Sequence, residues 1–242
     1  MRVRWLIAGL LLGSLRTGSA LAADKTAFAE GASAYQSGNY AAAATAWGSP
    51  GKTSSGTLHN LGNAEFRLGH PGAAILAWER ALALMPGSKN TAANLRFARA
   101  QAGLNEPQYA WYEKYAALLS PGVWLGIATL TFWSSVAFLA LPPLLKRRRA
   151  AWTQAGAVVA SALFLLTTPA LAGIASRSRI GVILVADTEL RLTPTKEAEV
   201  LGKLSEGELG RLEKARGDYV FVRGAADRAG WIQTKEFARI WP

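Results

Sequence analysis

The chain of 242 residues contains no cysteine. Without thiols it can form no disulfide framework, no thiolate metal site and no cysteine nucleophile. A small secreted domain held together by disulfides is therefore excluded, whereas an oxidising compartment is not. Histidine is nearly as rare, because only His59 and His70 occur. They stand eleven residues apart, which is not a metal-ligand spacing.

Recognisable catalytic motifs are also missing. The sequence has no HExxH and no G-x-S-x-G segment. Gly51, Lys52 and Thr53 imitate the end of a phosphate-binding loop, but Ala46 stands where that loop needs its first glycine. We therefore predict a protein that is not an enzyme and that needs no cofactor and no metal.

Acidic residues are scarce, with 16 Asp and Glu against 27 Lys and Arg, so the net charge is +11. Such an excess is typical of nucleic-acid binding when it lies on a soluble domain. Here residues 1–23 contribute +3 and residues 122–175 contribute +4, all in or beside apolar segments. The charge therefore indicates targeting and membrane topology, and we predict no nucleic-acid partner.

The first 22 residues have the three parts of a secretory signal peptide. Arg2 and Arg4 precede an apolar run over residues 5–12, and small residues then lead to Ala20, Leu21 and Ala22. This pattern predicts cleavage after Ala22. The alternative is an uncleaved anchor, since Arg16 departs from the usual neutrality of the segment before the cut, and in either case the chain beyond it is exported.

Two uncharged apolar segments, residues 122–145 and 150–175, are long enough to cross a bilayer, which requires about 20 residues. Between them lie four consecutive basic residues, 146–149, which predict a cytoplasmic hairpin by the positive-inside rule. The segments before and after the two predicted transmembrane helices then share the outer face, as the signal peptide also requires.

Residues 24–104 contain an internal repeat with a spacing of 31, at which Gly31 matches Gly62 and Trp47 matches Trp78. Small residues where two helices cross, with a large one filling the gap, are typical of stacked helical hairpins. The run over residues 60–69, followed by Ala74, Trp78, Ala81 and Pro86, resembles the tetratricopeptide repeat.

Stacked repeats of this kind leave a concave groove lined by the first helix of each pair. The register places Asn60, Asn63, Arg67 and Asn94 on that groove, where amides can hydrogen-bond an extended peptide. The alternative is that some of these asparagines only cap helices or hold turns.

The linker over residues 105–121 is aromatic, with Tyr109, Trp111, Tyr112 and Tyr115. An interfacial helix lying on lipid headgroups would use these side chains, and a capping helix of the repeat domain would use them equally well.

Residues 178–242 change to short β-rich runs separated by turn signals, which predicts five or six strands. So few strands close naturally into a small barrel. Residues 190–194, 206–207 and 228–232 resemble bacterial SH3-like domains. We expect Tyr219, Trp231 and Trp241 to lie mainly in its core.

The order of these segments resembles the BatE-type proteins of the bacterial aerotolerance gene cluster. The predicted fold is a multidomain membrane protein with an all-α tetratricopeptide-like repeat, two transmembrane helices and an all-β SH3-like barrel. The resemblance implies an inner-membrane location with both soluble domains in the periplasm, and membrane-bound von Willebrand factor A-domain proteins as partners. We predict a membrane-anchored adaptor, or alternatively a cell-wall tether whose SH3-like domain binds peptidoglycan.

Overall fold

A computed structural model describes residues 28–49, 54–146 and 150–241. The predicted signal peptide and residues 147–149 of the basic hairpin lie outside the described residues. Along the chain, a helical repeat region is followed by a short helix, two long apolar helices and a seven-stranded sheet.

The repeat region begins with two helical hairpins. Residues 28–36 are helical (α1) and precede α2, Tyr40–Gly48, while α3, Ser55–Arg67, precedes α4, Pro71–Leu84. The Asn39 and Ser54 side chains accept hydrogen bonds from backbone N–H groups of the first turns of α2 and α3, at 3.1 and 3.0 Å. These caps satisfy amides that a helix leaves unpaired, and so they fix where α2 and α3 begin.

One indole fills the helix crossing in each hairpin. A Cβ atom on Gly31 would lie 2.4 Å from the Trp47 ring, and one on Gly62 would lie 2.5 Å from the Trp78 ring. Each indole N–H also donates to a carbonyl oxygen nineteen residues before it, at 3.3 and 3.1 Å. The same contacts at the same spacing make the hairpins two copies of one unit, as the glycine and tryptophan pattern predicts.

A further helix, α5 (Lys89–Gln101), packs against α4, and an extended linker leads from it to the short helix α6, Trp111–Ala116. The two long helices follow, α7 at Pro121–Leu144 and α8 at Ala151–Arg177. They lie side by side, and the hydroxyls of Ser135 and Ser161 are 2.7 Å apart between them.

Both long helices are apolar enough to cross a membrane, with mean hydropathies of 1.7 and 2.0. Their outward side chains are large and apolar, as Leu130 and Val158 show with exposed fractions of 70% and 68%. Such a surface is stable when lipid covers it, and the lack of charged residues along both helices before Arg177, at the end of α8, suits that environment.

The sheet is antiparallel throughout, with the order β3-β2-β6-β5-β4-β1-β7. Its strands are β1 Ile180–Ile183, β2 Thr188–Arg191, β3 Val200–Leu204, β4 Leu209–Arg216, β5 Tyr219–Arg223, β6 Ala229–Gln233 and β7 Phe237–Arg239. The seventh strand was not predicted. It is three residues long and follows a single 3₁₀ turn, Thr234–Glu236, so its pattern is too short to read.

The core of the sheet is aliphatic, with one phenylalanine: Ile183, Leu190, Leu204, Val220, Val222, Ile232 and Phe237. The expectation that Tyr219 and Trp231 lie mainly in the core is wrong, since both are half-buried. Side chains alternate between the faces of a strand, so burial of Val220 and Ile232 turns Tyr219 and Trp231 to the other face. There Trp231 packs edge-to-face on Phe221, with ring centroids 5.5 Å apart.

Among the described residues no pairing joins β3 to β7, so the predicted closed barrel is not confirmed. The β1 side of the sheet is covered by α4 instead. Ile75 and Leu76 of α4 share one buried cluster with Ile180 and Val182 of β1 and with Ile240 after β7. Packing of α4 thus shields this side of the sheet from solvent, which closure of the strands into a barrel would otherwise have to do.

Polar contacts extend this junction between the repeat and the sheet. The Arg80 guanidinium donates to the backbone oxygens of Arg239 and Ile240, at 2.7 and 3.2 Å. The Glu206 carboxylate, in the turn between β3 and β4, accepts from the Gly72 N–H at 2.8 Å. The repeat region and the sheet therefore form one packed body.

Candidate partner-binding site

The contact of α4 with the sheet leaves the other face of the repeat available. Asn60 and Asn63 lie half-buried on α3, Asn94 lies half-buried on α5, and Arg67 is exposed at the end of α3. These are the four residues that the sequence predicts to line the groove.

Asn63 and Asn94 are in direct contact across the two helices. The Asn94 side-chain N–H donates to the Asn63 amide oxygen at 2.9 Å. Each primary amide has two N–H groups and an oxygen that accepts twice, so this bond uses only part of the hydrogen-bonding capacity of the pair. The remaining groups can bind a peptide backbone, whose own N–H and C=O groups require partners when buried.

Asn60 and Asn63 also line a small cavity of about 130 Å³ between the first two repeat units. Its other lining residues are Ala32, Tyr35, Gln36 and Trp47. The cavity combines aromatic surface with the amide groups of three side chains, which is a suitable lining for one uncharged side chain of a partner.

Arg67 is held against the first hairpin. Its guanidinium carbon lies 5.8 Å from the centre of the Tyr40 ring. A side-chain hydrogen bond with Tyr35, followed by the nearby Tyr40 and Tyr35 hydroxyls, raises the pKa of Arg67 above its ordinary value. The structure therefore brings Asn60, Asn63 and Asn94 together, while Arg67 lies beside two tyrosines at their edge.

Both histidines take part in local contacts. His59 Nδ1 lies 2.9 Å from the Thr91 hydroxyl, and burial lowers the pKa of His59, so this ring is neutral at pH 7. His70 Nδ1 lies 2.9 Å from a Glu65 carboxylate oxygen. Within the described ranges no group of three His, Cys, Asp or Glu side chains is arranged to hold a metal ion.

A larger cleft of about 930 Å³ lies between the repeat region, the linker and the sheet, and the sequence did not indicate it. Its arginines are held by carboxylates. Arg211 and Arg228 donate to Glu113 and Glu208, at 2.7 and 2.6 Å. Because the Arg211 pair joins positions 98 residues apart, no local pattern could have shown it.

Tyr109 lines this cleft. Burial raises the pKa of its hydroxyl, and the negative charge of Glu79 raises it further. Arg177, at the end of α8, lies 5.7 Å from the centre of its ring. The phenol is therefore protonated at neutral pH and ties the linker to both the repeat and α8. With its arginines paired, the cleft is better explained as a structural junction than as a binding site.

Comparison with known proteins supports one part of this architecture. No curated protein and no solved structure matches the chain. A family model described as tetratricopeptide repeat matches residues 55–88, which comprise α3, α4 and the turn after them. The chain thus carries a tetratricopeptide repeat, and this repeat contributes Asn60, Asn63 and Arg67 to the candidate site.

Proposed function

We propose that this protein is a membrane-anchored adaptor of the bacterial envelope, and that its repeat groove binds an extended segment of a partner protein. The observation that carries the proposal is the Asn63–Asn94 amide pair beside the cavity lined by Asn60. Tetratricopeptide repeats are binding scaffolds, and this groove offers hydrogen-bonding amides next to aromatic surface.

The junction with the sheet supports this choice of surface. Because α4 is covered by β1 and the chain after β7, its outer face is not available to a partner. The face that carries Asn60, Asn63 and Asn94 is directed elsewhere and is only half-buried. A partner can therefore bind there without separating the repeat from the sheet.

The cellular setting rests on the resemblance to BatE-type proteins. We propose that α7 and α8 cross the inner membrane and that the packed body of repeat and sheet lies in the periplasm. Von Willebrand factor A-domain membrane proteins are the proposed partners, in a complex of the aerotolerance type. The sheet is proposed to be an SH3-like domain that supports a second contact close to the membrane.

Photo-crosslinking in native membranes tests the groove. A photoreactive residue at Gln36, which lines the same cavity and leaves the Asn63–Asn94 pair intact, should capture a defined membrane partner. One at Asn90, an exposed position in the first turn of α5, should not. The double substitution Asn60→Ala and Asn63→Ala should weaken recovery of that partner about ten- to thirtyfold, since it removes hydrogen bonds of about 1 kcal/mol each. Equal capture at both positions would contradict the proposal.

The cell-wall tether is tested with the full chain, since the sheet shares its buried Ile180, Val182 and Ile240 with α4. Purified peptidoglycan sacculi are sedimented with the detergent-solubilised protein. An adaptor should stay in the supernatant. Retention on the sacculi that survives the two asparagine substitutions would favour the tether instead.

A further inference from the structure

The short helix α6 has two different faces. Glu113 and Ala116 on its inner face are 1% and 2% exposed. On the outer face, Trp111 and Leu118 are 69% and 66% exposed, and Lys114 is exposed between them. A spacing of three and then four residues places these three side chains on one stripe, which continues from α6 into the turn after it.

The inner face of α6 packs on the last turns of α8. A Cβ atom on Gly173 would lie 2.2 Å from the Tyr112 backbone oxygen, so only glycine allows this approach. The Glu113 carboxylate accepts from the Ser176 hydroxyl at 2.6 Å, and the Tyr115 hydroxyl donates to the Leu166 backbone oxygen at 3.2 Å. These contacts fix the orientation of α6 on α8 and direct the stripe outward.

The same contacts place α6 at a definite depth. Tyr112 and Glu113 contact α8 at Gly173 and Ser176. The Tyr115 side chain reaches back along α8 to Leu166, about 15 Å from Ser176 at 1.5 Å per residue. The apolar segment of α8 ends just beyond Gly173, where Ser176 and Arg177 begin its polar end. In a bilayer this level corresponds to the boundary between hydrocarbon and headgroups.

We propose that the stripe formed by Trp111, Lys114 and Leu118 binds the phospholipid headgroup layer and seats the soluble body on the membrane surface. An indole prefers the interface, a leucine reaches the acyl chains, and a lysine extends its ammonium group to the phosphates. The inference rests on the proposed insertion of α7 and α8 in the membrane. Of the two roles predicted for the aromatic linker, it favours an interfacial helix over a capping helix of the repeat domain.

Two observations favour lipid over a protein partner. The stripe is continuous along the chain with α7, which starts two residues after Leu119, and Val123 in its first turn is 47% exposed. Lys114 interrupts the apolar surface, which is unfavourable at the centre of a protein interface but suitable where a cation can reach phosphate.

The absence of cysteine gives a direct test, since any introduced thiol is unique. Single variants Trp111→Cys and Leu118→Cys are labelled with a nitroxide and reconstituted in vesicles of phosphatidylcholine and phosphatidylglycerol. Phe97→Cys serves as the matched control, because Phe97 is also apolar and 62% exposed but lies on α5. Val158→Cys, on the lipid-facing surface of α8, reports insertion.

The measurement is the accessibility of each label to oxygen and to a water-soluble nickel chelate. The ratio of oxygen accessibility to nickel accessibility at positions 111 and 118 should lie between the ratios at the two controls. It should exceed the ratio at position 97 severalfold. The inference fails if they match position 97 while position 158 is in lipid. Spin–spin coupling between copies at 111 or 118 in dilute vesicles would assign the stripe to a second copy and also overturn it. A water-accessible label at 158 would contradict the membrane insertion itself.

Discussion

Two glycines of α3 differ in how much free energy of folding the addition of a side chain would cost. A Cβ atom on Gly62 would lie 2.5 Å from the indole of Trp78, which is only 2% exposed. At Gly56, near the start of the same helix, the nearest heavy atom is the Ser54 hydroxyl at 3.9 Å. The first glycine is required by packing, and the second is not.

Gly62→Ala is therefore expected to destabilise the repeat by about 1–3 kcal/mol, the usual cost of forcing atoms into a filled core. Gly56→Ala, its matched control, should be neutral or stabilising by up to about 1 kcal/mol, since alanine is the better helix former. Thermal unfolding of the detergent-solubilised protein measures both. Equal midpoints for the two variants would contradict the tight indole contact.

Glu113 is the other residue whose surroundings make a clear prediction. Burial by itself raises the pKa of its carboxyl, but hydrogen bonds from Ser176, Arg211 and the Ala110 N–H outweigh burial and leave the pKa below its ordinary value of 4.5. A carboxyl whose pKa is lower in the folded state stabilises that state above the ordinary pKa. This stabilisation is lost as the pH falls through the lower folded value.

Glu113→Gln should therefore lower the unfolding midpoint at pH 7, because Arg211 loses its anionic partner. The difference from the unsubstituted protein should begin to shrink as the pH falls below about 4.5, and it should be lost as the pH falls through the lower pKa of the folded carboxyl. Midpoints recorded between pH 3 and pH 7 test this. Glu106→Gln, an exposed position in the linker, serves as the control and should leave the curve unchanged.

Helix α4 depends on a residue from outside the repeat. His70 precedes it without a side-chain cap, and Pro71 occupies its first turn. The first-turn N–H of Gly72 is satisfied by the Glu206 carboxylate, whose negative charge also suits the positive end of the helix dipole. The start of α4 is thus stabilised by the sheet, 134 residues further along the chain.

Glu206→Ala should cost about 0.5–2 kcal/mol, as the loss of a helix N-cap does. Hydrogen exchange should quicken most at the amides of residues 72–74, because the cap acts on that turn. Glu197→Ala removes an exposed carboxylate from the loop between β2 and β3 and should change neither quantity. Unaltered exchange at α4 in the Glu206 variant would show that the contact contributes nothing.

Periodicity explains which elements were predictable. The two long helices and the repeat follow from apolar length and from a recurring spacing, and both are confirmed at that level. Closure of the sheet could not be predicted, because it depends on what covers β1 and β7. The element that covers them is α4, which ends more than ninety residues before β1.

The packing of the repeat against the sheet constrains the membrane topology of the chain. Since Ile75 of α4 and Val182 of β1 share one core, both regions must lie on the same side of any membrane that α7 and α8 cross. The hairpin between the two long helices must then lie on the opposite side.

Single cysteines test this arrangement in intact spheroplasts. Ser37→Cys in the repeat and Lys214→Cys in the sheet, both exposed, should react equally with a membrane-impermeant maleimide. Lys146→Cys, at the end of the hairpin, should react only after lysis. Labelling of position 146 in intact cells, or of only one soluble region, would overturn the proposed topology.

Only part of the groove could be predicted from the sequence. The repeat register placed Asn60, Asn63 and Asn94 on one face, and their use in binding stays a prediction. The register could not show that Asn94 donates to Asn63 or that Arg67 lies over Tyr40, because these contacts depend on how neighbouring repeats pack.

The amino-acid sequence alone determines three features: a repeat of 31 residues, two uncharged segments long enough to span a bilayer, and the absence of any thiol. These depend on spacing and composition, which are local along the chain. Tertiary packing, in contrast, settled that α4 covers the sheet, that Glu206 caps α4, and that α6 presents Trp111, Lys114 and Leu118 outward. Each of these depends on side chains distant in sequence that meet because burying apolar surface stabilises the packed body.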